Sequence, residues 1–185
     1  MIVQTPNPIL TQKAKPVGKI DKKILKVIAD LKKTLLSAKN PRGVGLAAPQ
    51  IGVSLCIFVT RPKSNGSTDV FINPQITWKS KETSEIKRED ITSHPKDEKK
   101  LEGCLSIDNI WGHLKRPTRV RIKYMDINGN IKEEDFVGFL STIVQHETDH
   151  LDGILFTQRV LEQKEKLYKI EKNDEGKEEL VEIKI

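Results

Sequence analysis

Residues 139–151 read FLSTIVQHETDHL, and this stretch determines what the rest of the chain must pack around. His146 and His150 are four positions apart, a spacing that places both imidazoles on one face of a helix, about 6 Å apart along its axis. Both side chains can then reach one divalent metal ion. Glu147 lies about 100° round the helix, where it can handle the proton of a water without being a ligand.

The positions before the histidines indicate that this helix face is buried. Phe139, Thr142 and Ile143 precede His146 by seven, four and three positions, so they share its face. A lone pair of this kind is often only two surface histidines, but buried histidines next to a carboxylate need a partner. A metal ion is the simplest explanation.

A catalytic metal site needs a third protein ligand and one open position. Cys104, in the run EGCLS at 102–106, is the candidate, because the glutamate and glycine before it and the missing third ligand favour coordination over a small buried thiol. Metal binding would deprotonate the thiol. His113 is a rival, but the two basic residues at 115 and 116 indicate an exposed strand end. Cys56 lies in an apolar run and is interpreted as a small buried hydrophobe.

The run GVGLAAPQIG at 43–52 superficially fits the G-x-G-x-x-A pattern of dinucleotide sites. That pattern requires a strand before it and a helix after it. Here a predicted helix precedes the run and Pro49 interrupts the segment after it, so we reject a nucleotide site. Small residues instead let the backbone pass close to a ligand, and Gln50 offers an amide donor.

Composition places the chain among ordinary globular proteins. It has 185 residues, of which 36% are hydrophobic and 31% charged, and no apolar run approaches the roughly 20 residues of a membrane span. The N-terminus lacks the apolar core of a signal peptide, and two cysteines suit a reducing compartment. We therefore expect a cytoplasmic protein without a membrane segment, and a monomer.

The formal net charge of +6 is concentrated near the N-terminus. Residues 1–42 contain ten Lys and Arg against two Asp, a net +8. This excess is typical of a solvated helix face, and it also fits a surface that approaches RNA, such as the ribosome. Both interpretations remain open at this point.

The pattern of apolar residues predicts an α+β fold, with mixed and antiparallel strands around a central metal-binding helix and an amphipathic N-terminal helix. Asp21 can cap that first helix. Asn128-Gly129 indicates a two-residue hairpin turn. The predicted helices span residues 21–38, 139–151 and 158–169, and the predicted strands span 55–59, 70–72, 119–126 and parts of 131–137.

We interpret residues 1–169 as a single catalytic domain. Within it, residues 79–100 are mostly charged and are predicted to form a solvent-exposed excursion that is mobile or only locally ordered. Residues 170–185 form a C-terminal tail or a hairpin.

Three motifs in this order resemble the peptide deformylase family. The family patterns G-x-G-x-A-A-x-Q, E-G-C-L-S and H-E-x-D-H match this chain at every fixed position, starting at Gly43, Glu102 and His146. The resemblance extends to VQTPNPIL near the N-terminus and to DHLDGILF after the second histidine, so it covers roughly residues 1–160.

The resemblance implies a role for each matching position. The metal would be bound by Cys104, His146 and His150. Glu147 would be the general acid/base, and Gln50 with the backbone N–H of Leu105 would hold the oxyanion. The substrate would contact Val44, Gly45, Glu102, Phe139, Thr142 and Ile143.

The family removes formyl groups from the N-terminal methionine of newly made proteins. Its usual metal is Fe(II), with Zn(II), Ni(II) or Co(II) as replacements. A divalent metal lowers the pKa of its water toward about 7, so hydroxide would attack the formyl carbonyl while Glu147 receives the proton.

Two other hypotheses remain. A zinc peptidase is the first, since H-E-x-x-H also serves peptide hydrolysis. Cys104 argues against it, because such peptidases usually take a carboxylate or histidine as third ligand. The second is a metal-bearing binding protein that keeps the fold without turnover.

Overall fold

The computed structural model describes residues 1–39, 42–61, 67–86, 101–172, 176 and 178–184. The helices of this part are α1 (Lys22–Ser37), α2 (Gly138–Leu151) and α3 (Phe156–Glu162), with 3-10 turns at Pro8–Thr11 and Ala48–Ile51. The strands are β1 (Gly45–Ala47), β2 (Ile57–Thr60), β3 (Asp69–Lys79), β4 (Thr83–Glu85), β5 (Leu101–Cys104), β6 (Ile107–His113), β7 (Lys115–Pro117), β8 (Arg119–Met125), β9 (Ile131–Val137), β10 (Leu167–Lys172) and β11 (Glu178–Glu182).

The strands form three sheets. One has five strands in the order β1-β2-β3-β8-β9, a second has four in the order β11-β10-β6-β5, and β4 pairs with β7. Every pairing between these strands is antiparallel. Helices and antiparallel sheets without βαβ units confirm the α+β class.

Helix α1 has the cap and the apolar stripe that the sequence predicts. The Asp21 carboxylate accepts hydrogen bonds from the backbone N–H groups of Lys23 and Ile24, at 2.8 and 3.0 Å. One face is buried against β1 and β2 through residues that recur at helical spacing, namely Ile28, Leu31 and Leu35. The opposite face carries the lysines.

Helix α2 packs on the five-stranded sheet over an aromatic core. The ring of Phe71 lies 4.5 Å from those of Phe58 and Tyr124 and meets Phe136 edge-on. Val144 of α2 is fully buried in the same cluster. The far side of α2 is therefore held toward the second sheet, which carries Cys104.

Three sequence predictions of local structure are wrong in extent. Strand β3 runs eleven residues through Pro74, because Asn73 adopts φ 50° and the register shifts there, which removes the need for a proline N–H. The turn after β8 is longer than two residues, since the Asp126 carboxylate accepts from the N–H groups of Asn128 and Asn130. The last helix ends at Glu162, and β10 begins at Leu167.

The excursion predicted at 79–100 is described only in part. Residues 83–85 pair with β7, whereas 87–100 lie outside the described residues. The C-terminal residues form the β10–β11 hairpin, one of the two alternatives expected for them. Within the part of the chain that the structure describes, no helix is long and apolar enough to cross a membrane.

Candidate metal centre

The structure brings together the three predicted metal ligands. One donor atom each from Cys104, His146 and His150 lies within 4.8 Å of the other two. Cys104 ends β5, and the histidines face it from α2, where the rings are 4.9 Å apart. The sulfur of Cys104 is 3.2 Å from Nε2 of His150.

The orientation of His146 is set by a buried carboxylate. Its Nδ1 donates to Oε1 of Glu102 at 2.6 Å, so Nε2 carries the lone pair that a metal would take. Arg116 donates to both oxygens of Glu102, at 2.8 and 2.7 Å. Burial disfavours the charged Glu102, but Arg116 and His146 outweigh it and hold the pKa of this carboxyl well below its usual 4.5.

A second carboxylate extends this network away from the centre. Asp149 accepts from Nη1 of Arg116 at 2.8 Å and from Nη2 of Arg159 at 2.9 Å. Alternating charges therefore link the partly exposed Arg159 on α3 to His146 through Asp149, Arg116 and Glu102.

The two histidines differ in electrostatic environment. Burial disfavours a charged His146, but bonds to Cys104 and Glu102 outweigh it and raise the pKa of this imidazole well above 6.5. Burial and the charge of His146 lower the pKa of His150 well below 6.5. Because a metal takes neutral imidazole and thiolate, it must compete with a proton at His146.

Glu147 lies beside the ligands but is not one of the clustered donors. The residue is only 4% exposed, and its Oε2 has no hydrogen-bond partner among the described residues. Burial raises the pKa of this carboxyl to about 7, against the opposing charge of His146. A carboxyl with a pKa near 7 can both accept and donate a proton at neutral pH.

The Gln50 side chain has a defined orientation. Its Oε1 accepts from the backbone N–H of Ala47 at 2.8 Å, and only an oxygen can do so. Nε2 must then face the centre, where it lies 3.1 Å from the Ser106 hydroxyl and 3.6 Å from the sulfur of Cys104. Gln50 is therefore an amide donor held at the metal centre.

A cavity of about 730 Å³, hereafter the cleft, opens onto these residues. Its lining includes most of the residues predicted to contact substrate, namely Val44, Gly45, Glu102, Thr142 and Ile143, as well as Leu105. Phe139 is half-buried and lies outside the lining, so its contact with substrate stays a prediction. Glu102 also lines the cleft, but both of its carboxylate oxygens already accept hydrogen bonds from Arg116 or His146.

The other histidine and cysteine considered in the sequence lie elsewhere. Nδ1 of His113 is 3.0 Å from Glu85, and its ring meets Tyr168 edge-on. Cys56 is half-buried with its sulfur 3.3 Å from the carbonyl of Ala14, and burial raises the pKa of its thiol. Neither belongs to the metal cluster.

Sequence reasoning missed three residues that the structure places in or behind the site. Ser106 lies inside a recognised motif, but the pattern did not indicate that its hydroxyl would accept from Gln50. Arg159 is one basic residue on a short helix, and Ile170 lies beyond the region of resemblance. Only in the folded chain does Ser106 contact Gln50, Arg159 join the network behind His146, and Ile170 line the cleft.

The donor set fits a divalent metal ion. A thiolate and two imidazoles are ligands that Zn(II) and Fe(II) accept, and their atoms converge on one point. The buried Oε2 of Glu147, without a partner in the described part of the chain, is where a reacting water would find a proton acceptor. This combination of fold and site is that of a metal-dependent hydrolase.

Comparison with known proteins gives the family. The sequence profile of the polypeptide deformylase family matches residues 1–166, so this enzyme belongs to the polypeptide deformylase family. A peptide deformylase of Pseudothermotoga lettingae is 41% identical over 150 residues, 81% of this chain and 76% of the relative. One of Treponema pallidum is 38% identical over 157 residues, 85% of each chain.

A solved structure agrees with this assignment. The crystal structure of peptide deformylase from Thermotoga maritima superposes with a TM-score of 0.73 at 33% identity, covering 86% of this chain and 96% of the other. The fold and the family predicted from the three motifs are thus confirmed. The family is metal-dependent and acts on the formylated N-termini of new polypeptides.

Proposed function

We propose that this enzyme hydrolyses the formyl group from the N-terminal formylmethionine of newly synthesised polypeptides and releases formate. The observation that carries the proposal is the buried carboxyl of Glu147, whose Oε2 has no partner among the described residues, beside the Cys104 and histidine cluster. Hydrolysis of an amide needs one group that first takes a proton and then returns it.

Cys104, His146 and His150 would hold the ion, with Fe(II) as the metal in the cell and Zn(II), Ni(II) or Co(II) as replacements. When bound, the ion would act as a Lewis acid toward the formyl oxygen and acidify a water at the site. Glu102 supports His146 from behind, because both of its oxygens are already bonded to Arg116 and His146.

The substrate would lie along the backbone of Val44 and Gly45, with its methionine side chain between Thr142 and Ile143. These four residues line the same cleft as Glu147. Gly45 would offer its backbone N–H and C=O groups to the peptide backbone, since Glu147 occupies the space that a side chain at this position would take.

The reaction would follow from the positions of Glu147, Gln50 and Leu105. Glu147 takes a proton from water as the water oxygen adds to the formyl carbon. Nε2 of Gln50 and the N–H of Leu105 donate to the oxyanion, and one such donor is typically worth about 3–4 kcal/mol. The C–N bond then breaks, Glu147 gives its proton to the departing amine, and formate and a free N-terminus remain.

Formate release tests this proposal directly. The protein would be loaded with Fe(II) under anaerobic conditions and given formyl-Met-Ala-Ser or its unformylated counterpart. We expect formate from the first and no internal cleavage of either. Glu147→Ala should keep the metal and lose the activity, whereas cleavage of the unformylated peptide would favour a peptidase instead.

The cellular setting we propose is the cytoplasm, where an Fe(II)–thiolate centre stays reduced and nascent chains are at hand. The enzyme would act as a monomer. The exposed lysines of α1, among them Lys22, Lys23 and Lys26, offer a surface for ribosomal RNA. Charge reversal of these three should abolish salt-sensitive co-sedimentation with ribosomes without changing formate release from a short peptide.

A further inference from the structure

The lining of the cleft varies in chemistry along the chain. Near the C-terminal end of α1 it is small, polar or basic, with Ser37, Ala38, Lys39 and Arg42. It also includes five large apolar residues, which we call the apolar wall, with Asp108 and Asn109 between two of them: Ile86, Ile107, Ile110, Trp111 and Ile170. Ile86 is buried and the other four are half-buried, so the wall presents apolar surface to whatever enters the cleft.

The apolar wall begins next to the metal centre. Trp111 is paired across β5–β6 with Gly103, the residue before Cys104. A Cβ atom on Gly103 would lie 2.7 Å from two carbons of the indole, so the ring lies directly against that strand. A substrate held at Cys104 is therefore held at the start of this wall.

The C-terminal hairpin completes the wall. Strand β10 pairs with β6, with Tyr168 opposite Trp111, and Ile170 lies on the same face of β10 as Tyr168. Ile170 comes after residue 166, where the match to the family profile ends. The wall thus includes a residue that the family profile does not cover.

The hairpin is anchored well enough to act as a fixed surface. Leu167 is buried, and its carbonyl accepts from the N–H of Ile183 at 2.8 Å. Lys166 and Glu182 form an ion pair at 2.7 Å across the hairpin. Five residue pairs join β10 to β11 without a register shift.

We infer that the apolar wall binds the side chains that come after the formylmethionine, so that the enzyme favours substrates with apolar second and third residues. The inference rests on the proposed function. With the formyl group at Glu147 and the methionine between Thr142 and Ile143, the next residues would lie along the rest of the cleft. Because burial against apolar surface favours apolar side chains, contact with the wall would discriminate among them.

A substrate series with a matched pair of variants tests the inference. Formyl-Met peptides carrying Leu or Ser at the second or at the third position would be compared in the parent enzyme, Ile170→Thr and Val181→Thr. Val181 lies on the same hairpin, is 43% exposed and does not line the cleft. Both substitutions therefore replace a β-branched apolar residue of the hairpin with Thr, but only position 170 lines the cleft.

In the parent enzyme and Val181→Thr we expect kcat/KM to be about tenfold higher for Leu than for Ser at one or both positions. Ile170→Thr should reduce that ratio about threefold, through KM rather than kcat. Equal values for Leu and Ser in the parent enzyme, or equal ratios in the two variants, would overturn the inference.

A failure of the proposed function would look different. In that case no peptide would yield formate in any variant, whatever its sequence. The affinities of the same peptides, measured by calorimetry, would then decide the role of the wall: a Leu preference that Ile170→Thr removes supports it, and equal affinities refute it.

Discussion

The backbone of Gly45 and the side chain of Glu147 occupy adjoining space. A Cβ atom on Gly45 would lie 2.8 Å from Cδ and 2.9 Å from Cγ of Glu147, closer than real Cβ contacts come. Gly45 lies in β1 and Glu147 in α2, so the absence of a side chain in the strand sets the position of the carboxyl on the helix. A side chain at position 45 would therefore have to displace Glu147.

Gly45→Ala should displace Glu147 and lower kcat for formate release about a hundredfold, since small misplacements at a reacting centre have effects of that order. Metal content should stay near the parent value, because the ligands are on other residues. Gly18→Ala is the matched control, as nothing lies within 4 Å of a Cβ at that glycine. A Gly45→Ala enzyme with parental kcat would show that the glycine does not position the carboxyl.

Substitution of the two cysteines should affect metal binding differently. Cys104→Ala removes one of three donor atoms and should lower metal occupancy sharply at equal added Fe(II) or Zn(II). Cys56→Ala should leave occupancy unchanged, since that thiol contacts the carbonyl of Ala14 and the hydrophobic core and is not among the clustered donors. Metal analysis after gel filtration makes the comparison, and equal occupancy in both variants would show that Cys104 is not a ligand.

Much of the site could be predicted because its chemistry depends on short local patterns. The spacing of His146 and His150 on a helix follows from helical geometry alone. The burial of that face followed from apolar residues at helical intervals, and the structure confirms it for Thr142 and Ile143. Helix α1 was predicted for the same reason.

The rest depends on contacts between distant parts of the chain. Arg116 lies 14 residues from Glu102, and this ion pair exists only in the folded protein. The extent of β3 was missed because Pro74 argues against a strand unless a bulge is already known. The helix expected at 158–169 was too long, because its apolar residues Val160 and Leu167 are buried in the same cluster from a helix and a strand.

Substitution of Arg159 tests how far the charged network that supports His146 extends. It donates to Asp149 at 2.9 Å and to Glu162 at 3.0 Å, so its two partners can be removed separately. Arg159→Ala should weaken metal binding about three- to tenfold, below the 10- to 100-fold loss typical when a direct partner of a ligand is removed. Competition with a chelator measures the affinity independently of turnover.

The control for Arg159 is Glu162→Gln, which leaves the bond to Asp149 in place and should bind metal like the parent. Arg159→Lys keeps the charge and should recover part of the affinity. Equal metal affinities in Arg159→Ala and the parent would show that support of His146 extends no further than Arg116 and the residues it contacts.

The last prediction concerns acid stability of the protein stripped of metal by a chelator. Glu102 and Arg116 form a buried ion pair, and removing one partner of such a pair typically costs about 3–5 kcal/mol. Glu102→Gln should therefore lower the free energy of unfolding in urea by that order at pH 7. Because the folded state holds the pKa of Glu102 below its usual 4.5, this contribution is complete above that value and is lost as pH falls through and below it.

The difference between parent and Glu102→Gln should accordingly not fall between pH 7 and about 5.5, where the raised pKa of His146 depends on the same carboxylate, and should shrink at pH 4 and below. Asp135→Asn is the control, since Asp135 pairs with Arg119 and Arg121 at the surface and its pKa is lowered to about 2 by the same kind of bond. Added salt should reduce the small effect of Asp135→Asn, because exposed pairs are screened, and leave that of Glu102→Gln largely intact. A Glu102→Gln difference that stayed the same at pH 4 and pH 7 would mean that the lost charge is not its cause.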